Sequence, residues 1–434
     1  MSLKSKQRAV MSRQKKSMSE ATTKNIWKNS NFISIFGAHT VSSFGSVVTR
    51  DAIPFIAVLF LAAQPLNMSI LALAGVIPIL LVALPGGVLI DRLPRIPIML
   101  LADIARAGLV LLIPIAWFFD FLTLWVLAGV IFLTTIFSVL FDVANQSVLP
   151  EYVEKDELLS ANGKLSSADT AAEVTASSLT GWLVQTLGGP IVLLLDSASY
   201  LMSAAFILRI KQPAHKAEAL DQDQARPKQT FIQDMQSGFK IYAQNRQLKI
   251  YLITSATQAF FGAFMGALYV FHLLNTLSIS ASITGLLIAV GGIGGLLGSV
   301  LSEKISNRLG ANRVMFYSIF LRSFTILLLP LSVLLSPILV IIALIVDQVL
   351  GDFLFVQYHI NERTKRQQIA EVHELGRVNS TAHFTSTAAF SLGLLAAGVI
   401  GEFSSTTVAL IIAASGIFAL SIFFKVSYLN RCAN

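Results

Sequence analysis

The sequence is dominated by apolar runs that are long enough to cross a lipid bilayer. One membrane-spanning α-helix needs about 20 predominantly apolar residues, with roughly 17–25 tolerated. Runs of this length lie near residues 33–62, 67–90, 97–117, 121–148, 159–187 and 190–210, and then near 247–276, 280–302, 313–331, 335–358, 374–400 and 404–428. The pattern predicts an all-α membrane protein with twelve transmembrane helices. Eleven or thirteen stay open because neighbouring runs could merge or split.

The composition excludes an ordinary soluble protein. Hydrophobic residues make up 54% of the chain and charged residues 13%, whereas about a quarter of a soluble protein is charged. The single cysteine, Cys432, offers neither a disulfide framework nor a thiolate metal site. The sequence also contains no His, Cys and Asp cluster with metal-ligand spacing and no nucleophile–base pair. We therefore expect no metal, no cofactor and no enzymatic activity.

Lysine and arginine are concentrated on one side of the predicted membrane. Residues 1–30 are polar and basic and lack the apolar core and cleavage site of a signal peptide. With this end inside the cell, the inner loops hold the basic residues Arg92, Arg95, Lys155, Lys164, the cluster from Arg209 to Lys249, Lys304, Arg308, Arg313, Arg363, Lys365, Arg366 and Arg377. The opposite loops, near 62–67, 118–122, 187–190, 276–281, 331–336 and 400–405, contain no Lys or Arg.

This asymmetry predicts the topology, because cytoplasmic loops of membrane proteins carry an excess of Lys and Arg. We expect a multi-pass protein of the cell membrane, of the bacterial plasma-membrane type, with both termini in the cytoplasm. The net charge of +8 is then a topology signal, and an interaction with nucleic acid is not expected. The lipid bilayer is the expected partner, and the protein is expected to be a monomer.

The only long polar segment, residues 211–246, divides the predicted helices six and six. Within it Phe231, Met235, Phe239 and Tyr242 recur at helical spacing, which predicts an amphipathic helix on the inner membrane face. The predicted organisation is a cytoplasmic tail at 1–30, a six-helix half at 31–210, a cytoplasmic loop at 211–246, a second half at 247–428 and a tail at 429–434.

The two halves resemble each other in sequence. Val88-Leu89-Ile90-Asp91-Arg92 matches Val300-Leu301-Ser302-Glu303-Lys304, about 212 residues further on. Arg106 in the third run matches Arg322 in the ninth, 216 residues away, and Asn162 matches Asn379, 217 residues away. Weak internal symmetry of this kind is typical of transporters that are built from parallel repeats and bind substrate between the halves near the midplane.

Three segments resemble the major facilitator superfamily. Residues 86–95, Gly-Gly-Val-Leu-Ile-Asp-Arg-Leu-Pro-Arg, resemble the superfamily's loop motif between spans two and three. Residues 141–150, followed by 157–162, are similar to the fourth-to-fifth-span connection of the macrolide-efflux and enterobactin-exporter group, and residues 196–201 resemble that group's sixth span. The resemblance extends from about residue 33 to 428. It implies a twelve-helix fold and proton-coupled export of small amphipathic molecules, with the proton gradient as the energy source.

The resemblance also assigns a conformational latch and reveals one departure. In the superfamily the loop cluster latches the cytoplasmic side of the outward-open state, which implies this role for Gly87, Asp91, Arg92, Arg95 and Asp142. Asp142 ends the fourth span and is expected to pair with the loop arginines. Drug:proton antiporters often carry a Gly-Pro motif in the fifth span, whereas residues 175–181 contain no proline. The direction of transport is therefore less firmly predicted than the fold.

Several ionisable residues lie inside predicted spans. A charge at the bilayer centre costs roughly 2.5–3.5 kcal/mol, so such residues face the bundle interior or a polar cavity. The candidates for proton coupling in the cavity are Arg50, Asp51, Asp169, Glu173, Asp347 and Asp352. By resemblance, spans one, four, seven and ten line the cavity. We expect Asp51 or Asp347 to exchange a proton for substrate.

Structural explanations for these charges stay open. Arg50 and Asp51 are adjacent and could each pair with another helix, and Asp169 with Glu173 could form either a proton relay or a gating contact. Arg106 and Arg322 are predicted to be structural. The lone histidines His39, His272 and His383 are also interpreted as structural.

The seventh span is the predicted source of the substrate surface. An exporter of amphipathic compounds needs an apolar, adaptable cavity with few polar anchors. Gln258, Phe261, Met265 and Tyr269 are the candidates, although ordinary lipid-facing aromatic residues would give a similar pattern. An importer or a lysolipid flippase of the same fold is the main alternative function. A membrane sensor or scaffold is disfavoured by the short loops.

Overall fold

The computed structural model describes residues 26–90, 94–153, 157–211, 231–371 and 374–429, and these residues are almost entirely helical. Twelve helices of 19 or more residues are present in this part of the chain. They are α1 (Ser30–Leu61), α2 (Pro65–Ile90), α3 (Arg95–Phe118), α4 (Leu124–Tyr152), α5 (Leu158–Leu187), α6 (Gly189–Ile207), α7 (Arg246–Phe271), α8 (Ala281–Leu309), α9 (Ala311–Leu331), α10 (Pro337–Ile369), α11 (Leu375–Phe403) and α12 (Thr406–Phe424). The predicted twelve-helix architecture is confirmed.

Helix α5 differs from the other eleven in its polarity. Eleven helices of the described chain are long and apolar enough to cross a membrane, and α5 is not among them. It is rich in Ser and Thr and contains Asp169 and Glu173. Its neighbours are α1, α6 and α8, and Asp169 and Glu173 line a cavity within the first half, so its two acidic residues face polar space inside the bundle. This packing explains how so polar a helix spans the bundle.

Side chains cap several helices at their first turns. The carboxamide oxygen of Asn29 accepts hydrogen bonds from the backbone N–H groups of Asn31 and Phe32, at 3.0 and 3.2 Å. Asn245 does the same at the start of α7, and the hydroxyl of Ser405 accepts from Val408 N at 3.1 Å at the start of α12. These caps satisfy N–H groups that have no partner within the helix. They therefore help to set where each span begins.

The helices form two halves with the same internal packing. In the first half α1 packs on α5 and α6, α3 packs on α4 and α6, and α2 packs on α4. The corresponding pairs in the second half are α7 with α11 and α12, α9 with α10 and α12, and α8 with α10. Each pair recurs six helices later, so the repeat seen in the sequence is a repeat of packing. This is the arrangement expected of a transporter built from parallel repeats.

The halves meet mainly through α5 with α8 and through α2 with α11. We call the end of the bundle where α1 begins the basic end, and the opposite end the far end. At the far end Gln185 Oε1 accepts a hydrogen bond from Ser282 N at 3.1 Å, and Glu402 Oε2 accepts one from Leu66 N at 3.3 Å. Gly181 lies against the backbone of Gly285 in the same region. The two halves are therefore closed together at the far end.

A short helix, Phe231–Gln244, precedes the second half, and we call it the linker helix. It packs on α11, where Gly238 lies against Thr381 and the Tyr242 hydroxyl donates to Val378 O at 3.1 Å. Tyr242 is buried and Phe239 is exposed. A helix is therefore present in the predicted segment, and its packing on α11 ties that segment to the second half, whereas its placement on the inner membrane face stays a prediction.

Candidate functional site

A cavity of about 370 Å³ lies between the halves near the middle of the bundle. Helix α1 lines it from the first half, and α7, α8, α9 and α10 line it from the second. Its polar lining consists of Arg50, Asp51, Tyr269, Arg322, Thr325, Asp347, Gln348 and Asp352. Four of the six predicted proton-coupling residues therefore line this one space, as does Arg322, for which the sequence predicts a structural role.

Arg50 forms an ion cluster with two carboxylates. Its Nη2 and Nη1 donate to the two carboxylate oxygens of Glu173 at 2.7 and 3.1 Å, and its Nε donates to Asp51 Oδ1 at 2.9 Å. Ser177 Oγ donates to Asp51 Oδ2 at 2.6 Å. A bidentate guanidinium–carboxylate pair is the strong form of such a contact. The cluster therefore joins α1 firmly to α5 within the first half and leaves Asp51 fully hydrogen-bonded.

Arg322 and Asp347 lie on the opposite wall and are held differently. The Arg322 guanidinium stacks on the Phe355 ring, 4.3 Å from its centroid. Asp347 and Asp352 act electrostatically on Arg322, but no ion pair ties it to a carboxylate in the described residues. Arg322 Nη1 and Asp347 Oδ2 are both buried without a hydrogen-bond partner there. The charged side chains of this wall therefore make few ion pairs or hydrogen bonds with one another.

Two further cavities adjoin the first. One, of about 320 Å³, lies between α5, α8 and α10 and shares Ile288, Gln348 and Asp352 with the central cavity. The other, of about 470 Å³, lies within the first half between α1, α3, α4 and α5. Glu173 lines both of them. Polar space thus runs from the interior of the first half, past the Arg50–Glu173 pair, to the wall that holds Arg322 and Asp347.

His39 belongs to this polar space and was interpreted as structural from the sequence. Its Nε2 lies 2.8 Å from Asp169 Oδ1, its Nδ1 lies 3.2 Å from Asn145 Nδ2, and Ser43 Oγ donates to Asp169 at 2.8 Å. A sequence signal was available, because His39, Ser43, Ser46 and Arg50 follow one face of α1 at helical spacing. A polar stripe on an otherwise apolar helix indicates a cavity.

Arg106 lines the cavity of the first half but has closer side-chain partners than Arg322. It pairs with Asp103 one turn earlier on α3, and its guanidinium lies 4.4 Å from the Phe141 ring centroid and 4.3 Å from that of Tyr200. Arg106 and Asp103 are both buried. These contacts fit the structural role predicted for Arg106. They also show that the matching arginines of the two halves have different surroundings.

The four predicted substrate residues separate into two groups. Met265 and Tyr269 line the central cavity. Phe261 instead packs against Gly416 of α12 and lies beside Phe260, 5.1 Å between ring centroids. Gln258 is buried and both of its side-chain polar atoms lack a partner within the described residues. A role in substrate binding stays a prediction for all four, and the geometry favours Met265 and Tyr269.

The latch residues are only partly within the described chain. Asp91 and Arg92 lie outside the described residues, and Gly87 lies in α2. Arg95 forms an ion pair with Glu151. Asp142 lines the cavity of the first half, where Arg106, His39 and Asp169 are the charged groups that act on it. Of the loop arginines expected to pair with Asp142, Arg92 lies outside the described residues and Arg95 pairs with Glu151. Its role in a latch stays a prediction.

The chain is similar in sequence to membrane transporters. A family model described as a transmembrane secretion effector matches residues 22–433. An uncharacterised MFS-type transporter of Bacillus subtilis, YfiS, is 24% identical over 385 residues, covering 88% of this chain and 89% of the relative. Macrolide efflux protein A of Streptococcus pyogenes is 27% identical over 284 residues, covering 63% of this chain and 67% of that protein.

Solved structures share the fold. A bacterial homologue of the iron transporter ferroportin in an inward-facing state superposes with a TM-score of 0.75 at 16% identity, covering 91% of this chain and 98% of that one. An outward-facing structure of such a homologue superposes with a TM-score of 0.54. At this identity the likeness concerns the fold alone.

Proposed function

Because the chain belongs to the transmembrane secretion effector family of the major facilitator superfamily, we propose that it exports small amphipathic compounds across the cell membrane in exchange for protons. The basic end would face the cytoplasm, as the distribution of Lys and Arg predicts. The halves are closed at the far end, so the central cavity would load from the cytoplasmic side. Alternating access would then close the basic end and open the far end.

The observation that carries this proposal is the central cavity, which joins the two halves and contains protonatable carboxyl groups from both. Asp51 comes from α1, and Asp347 and Asp352 come from α10. A carboxyl group can exchange a proton for a polar or cationic ligand when each competes for the same oxygen. Apolar lining by Met265, Val270, Ile288 and Ile326 suits the rest of an amphipathic molecule.

Asp347 is the better candidate of the two proton carriers. Both oxygens of Asp51 accept hydrogen bonds, from Arg50 and Ser177. Asp347 Oδ2 is buried with no such donor among the described residues. An ionised oxygen without a donor is costly to bury in that position. Binding of a proton or of a donating ligand group removes this cost. We propose that this alternation at Asp347 couples the two fluxes, with Asp51 and Glu173 holding Arg50 in place.

The test is transport by purified protein in liposomes with an acidic lumen and a neutral exterior. Radiolabelled erythromycin is a suitable probe because one relative is named a macrolide efflux protein. We expect accumulation above protein-free vesicles that collapses when an ionophore dissipates the pH gradient. Asp347→Asn should reduce it to the protein-free level, and Asp51→Asn is the second variant to test. Asp120→Asn, in the far-end loop, is the matched control and should transport normally.

The same assay separates export from the alternatives. An importer would accumulate the probe with the opposite gradient, and a lysolipid flippase would move a fluorescent lysophospholipid between leaflets whether or not a pH gradient is present. Unchanged accumulation in both Asp347→Asn and Asp51→Asn would contradict proton coupling at these carboxyl groups.

A further inference from the structure

Three polar atoms on the second-half wall of the central cavity are buried and have no hydrogen-bond partner in the described chain. They are Tyr269 Oη on α7, Arg322 Nη1 on α9 and Asp347 Oδ2 on α10. Thr325 and Gln348 lie close to the Asp347 carboxyl and the Tyr269 hydroxyl and interact with them, but neither makes a hydrogen bond of full geometry to these atoms. Buried polar groups are almost always paired, and each one left unpaired costs about 1–3 kcal/mol. Three such atoms around one cavity indicate a ligand.

The first half contains the counterpart of Arg322, which is Arg106, and the protein itself supplies a carboxylate partner for it. Arg106, the counterpart of Arg322, has a carboxylate partner at Asp103, whereas the residue three before Arg322 is Ile319. Arg106 is covered by two aromatic rings, Phe141 and Tyr200, whereas within the described residues only the Phe355 ring stacks on Arg322. The repeat therefore keeps the arginine in both halves but gives it a carboxylate partner one turn earlier in the first half only. In the second half, Arg322 Nη1 therefore remains available to donate a hydrogen bond to a ligand.

The three atoms offer a definite chemical pattern. Asp347 Oδ2 accepts hydrogen bonds, Arg322 Nη1 donates them, and the Tyr269 hydroxyl can donate as well. With Asp352, the wall contains one positive and two negative side chains, so a cation is favoured over an anion. The ligand must therefore present a donating cationic group and, close to it, an accepting oxygen.

We propose that this wall binds an amphipathic amine that has an oxygen acceptor a few bonds from the nitrogen. The ammonium group donates to Asp347, and the oxygen accepts from Arg322 and Tyr269. The apolar part of the molecule lies against Met265, Val270 and Ile288. This inference rests on the proposed transport function, since it names the class of substrate that the cavity would take.

The test is equilibrium binding to the purified protein in lipid nanodiscs at pH 7, with no gradient. The probe is propranolol, an aryl amino alcohol, compared with its analogue lacking the hydroxyl and with its N-acetyl derivative, which is not cationic. One buried hydrogen bond of ordinary strength changes affinity by about tenfold. We expect wild-type protein to bind propranolol at least about tenfold more tightly than either analogue.

Variants should remove these preferences one at a time. Tyr269→Phe and Arg322→Gln should reduce the preference for the hydroxyl to less than about threefold while keeping the preference for the cation. Asp347→Asn should remove the preference for the cation and keep that for the hydroxyl. Tyr317→Phe, on the exposed face of α9, and Asp120→Asn are the matched controls and should preserve both. Tyr269→Phe removes a single oxygen, so its result stands even where Arg322→Gln fails to fold.

The inference would be overturned by equal affinity of the wild type for all three compounds, or by preferences that persist in all three cavity variants. Its failure is distinguishable from failure of the proposed function. Gradient-driven transport of erythromycin with no selective binding of propranolol refutes the amine site alone. The expected binding pattern without any gradient-driven transport supports the amine site and refutes proton-coupled export.

Discussion

Arg106 and Arg322 occupy equivalent positions in the repeat, yet within the described residues only Arg106 has a carboxylate partner one helical turn away. Its ion pair with Asp103 is almost completely enclosed, at 2% and 0% exposure for the two residues. Removing one member of a buried pair leaves the other charge without compensation, and this is strongly destabilising. Replacing Asp352, the carboxylate near Arg322, removes no ion pair, because Asp352 forms none within the described residues. The two arginines should therefore respond differently to loss of a neighbouring carboxylate.

We predict that Asp103→Asn destabilises the protein by about 3–5 kcal/mol. Thermal unfolding of the purified protein in detergent, followed by loss of monodisperse material, would measure it. Asp352→Asn is the matched comparison and should change stability by less than about 1 kcal/mol. Equal destabilisation by the two substitutions would contradict the asymmetry between the halves.

Individual residues of the site were predictable, but their partners were not. Charges inside apolar runs identify Arg50, Asp51, Glu173 and Asp347 from the sequence, because buried ions are rare in membrane spans. The Arg50–Glu173 pair joins residues 123 positions apart, and no local pattern encodes which carboxylate meets which arginine. His39 was interpreted as structural because it was considered alone, rather than as part of a polar stripe.

At the level of helices, the two contacts between the halves depend on glycine. A side chain at Gly181 of α5 would meet Ala281 and Gly285 of α8, and one at Gly398 of α11 would meet Ser69 and Leu66 of α2. Small residues let helix backbones approach closely within a membrane. Hydropathy predicts that these helices exist, whereas the choice of partner depends on glycines that resemble every other glycine in the sequence. The pairing of helices was therefore beyond sequence analysis.

Gly181→Leu should weaken the closed far end. Overpacking costs roughly 1–3 kcal/mol, which would shift the balance between far-end-closed and far-end-open states about 5- to 150-fold. The shift can be measured as faster labelling of a cysteine placed at Ser282 by an impermeant maleimide, in a Cys432→Ser background. Gly163→Leu, on the same helix with nothing within 4 Å of its Cβ position, should leave labelling unchanged. Similar labelling in the two variants would argue against this role for Gly181.

For the whole molecule, closure at the far end implies that the two halves must move apart there during transport. Gln185 and Ser282 come from different halves and are in direct contact there. Cysteines at both positions, with Cys432→Ser, should therefore cross-link under mild oxidation and stop gradient-driven transport, and reduction should restore it. Each single-cysteine variant, treated in the same way, is the control. Full transport by the cross-linked protein would show that the far end does not open during the cycle.

The polarity of α5 has a consequence for how the protein is made. A helix enters the bilayer from the translocon according to its own apolar content, and α5 is the one long helix of the described chain that falls short. One of its main neighbours, α8, is synthesised about a hundred residues later. We infer that α5 is held in place by α1 and α6 during synthesis and becomes secure only after the second half has emerged from the ribosome. The first six helices are therefore not fully stable in the membrane until the other six have been synthesised, although the two halves have the same packing.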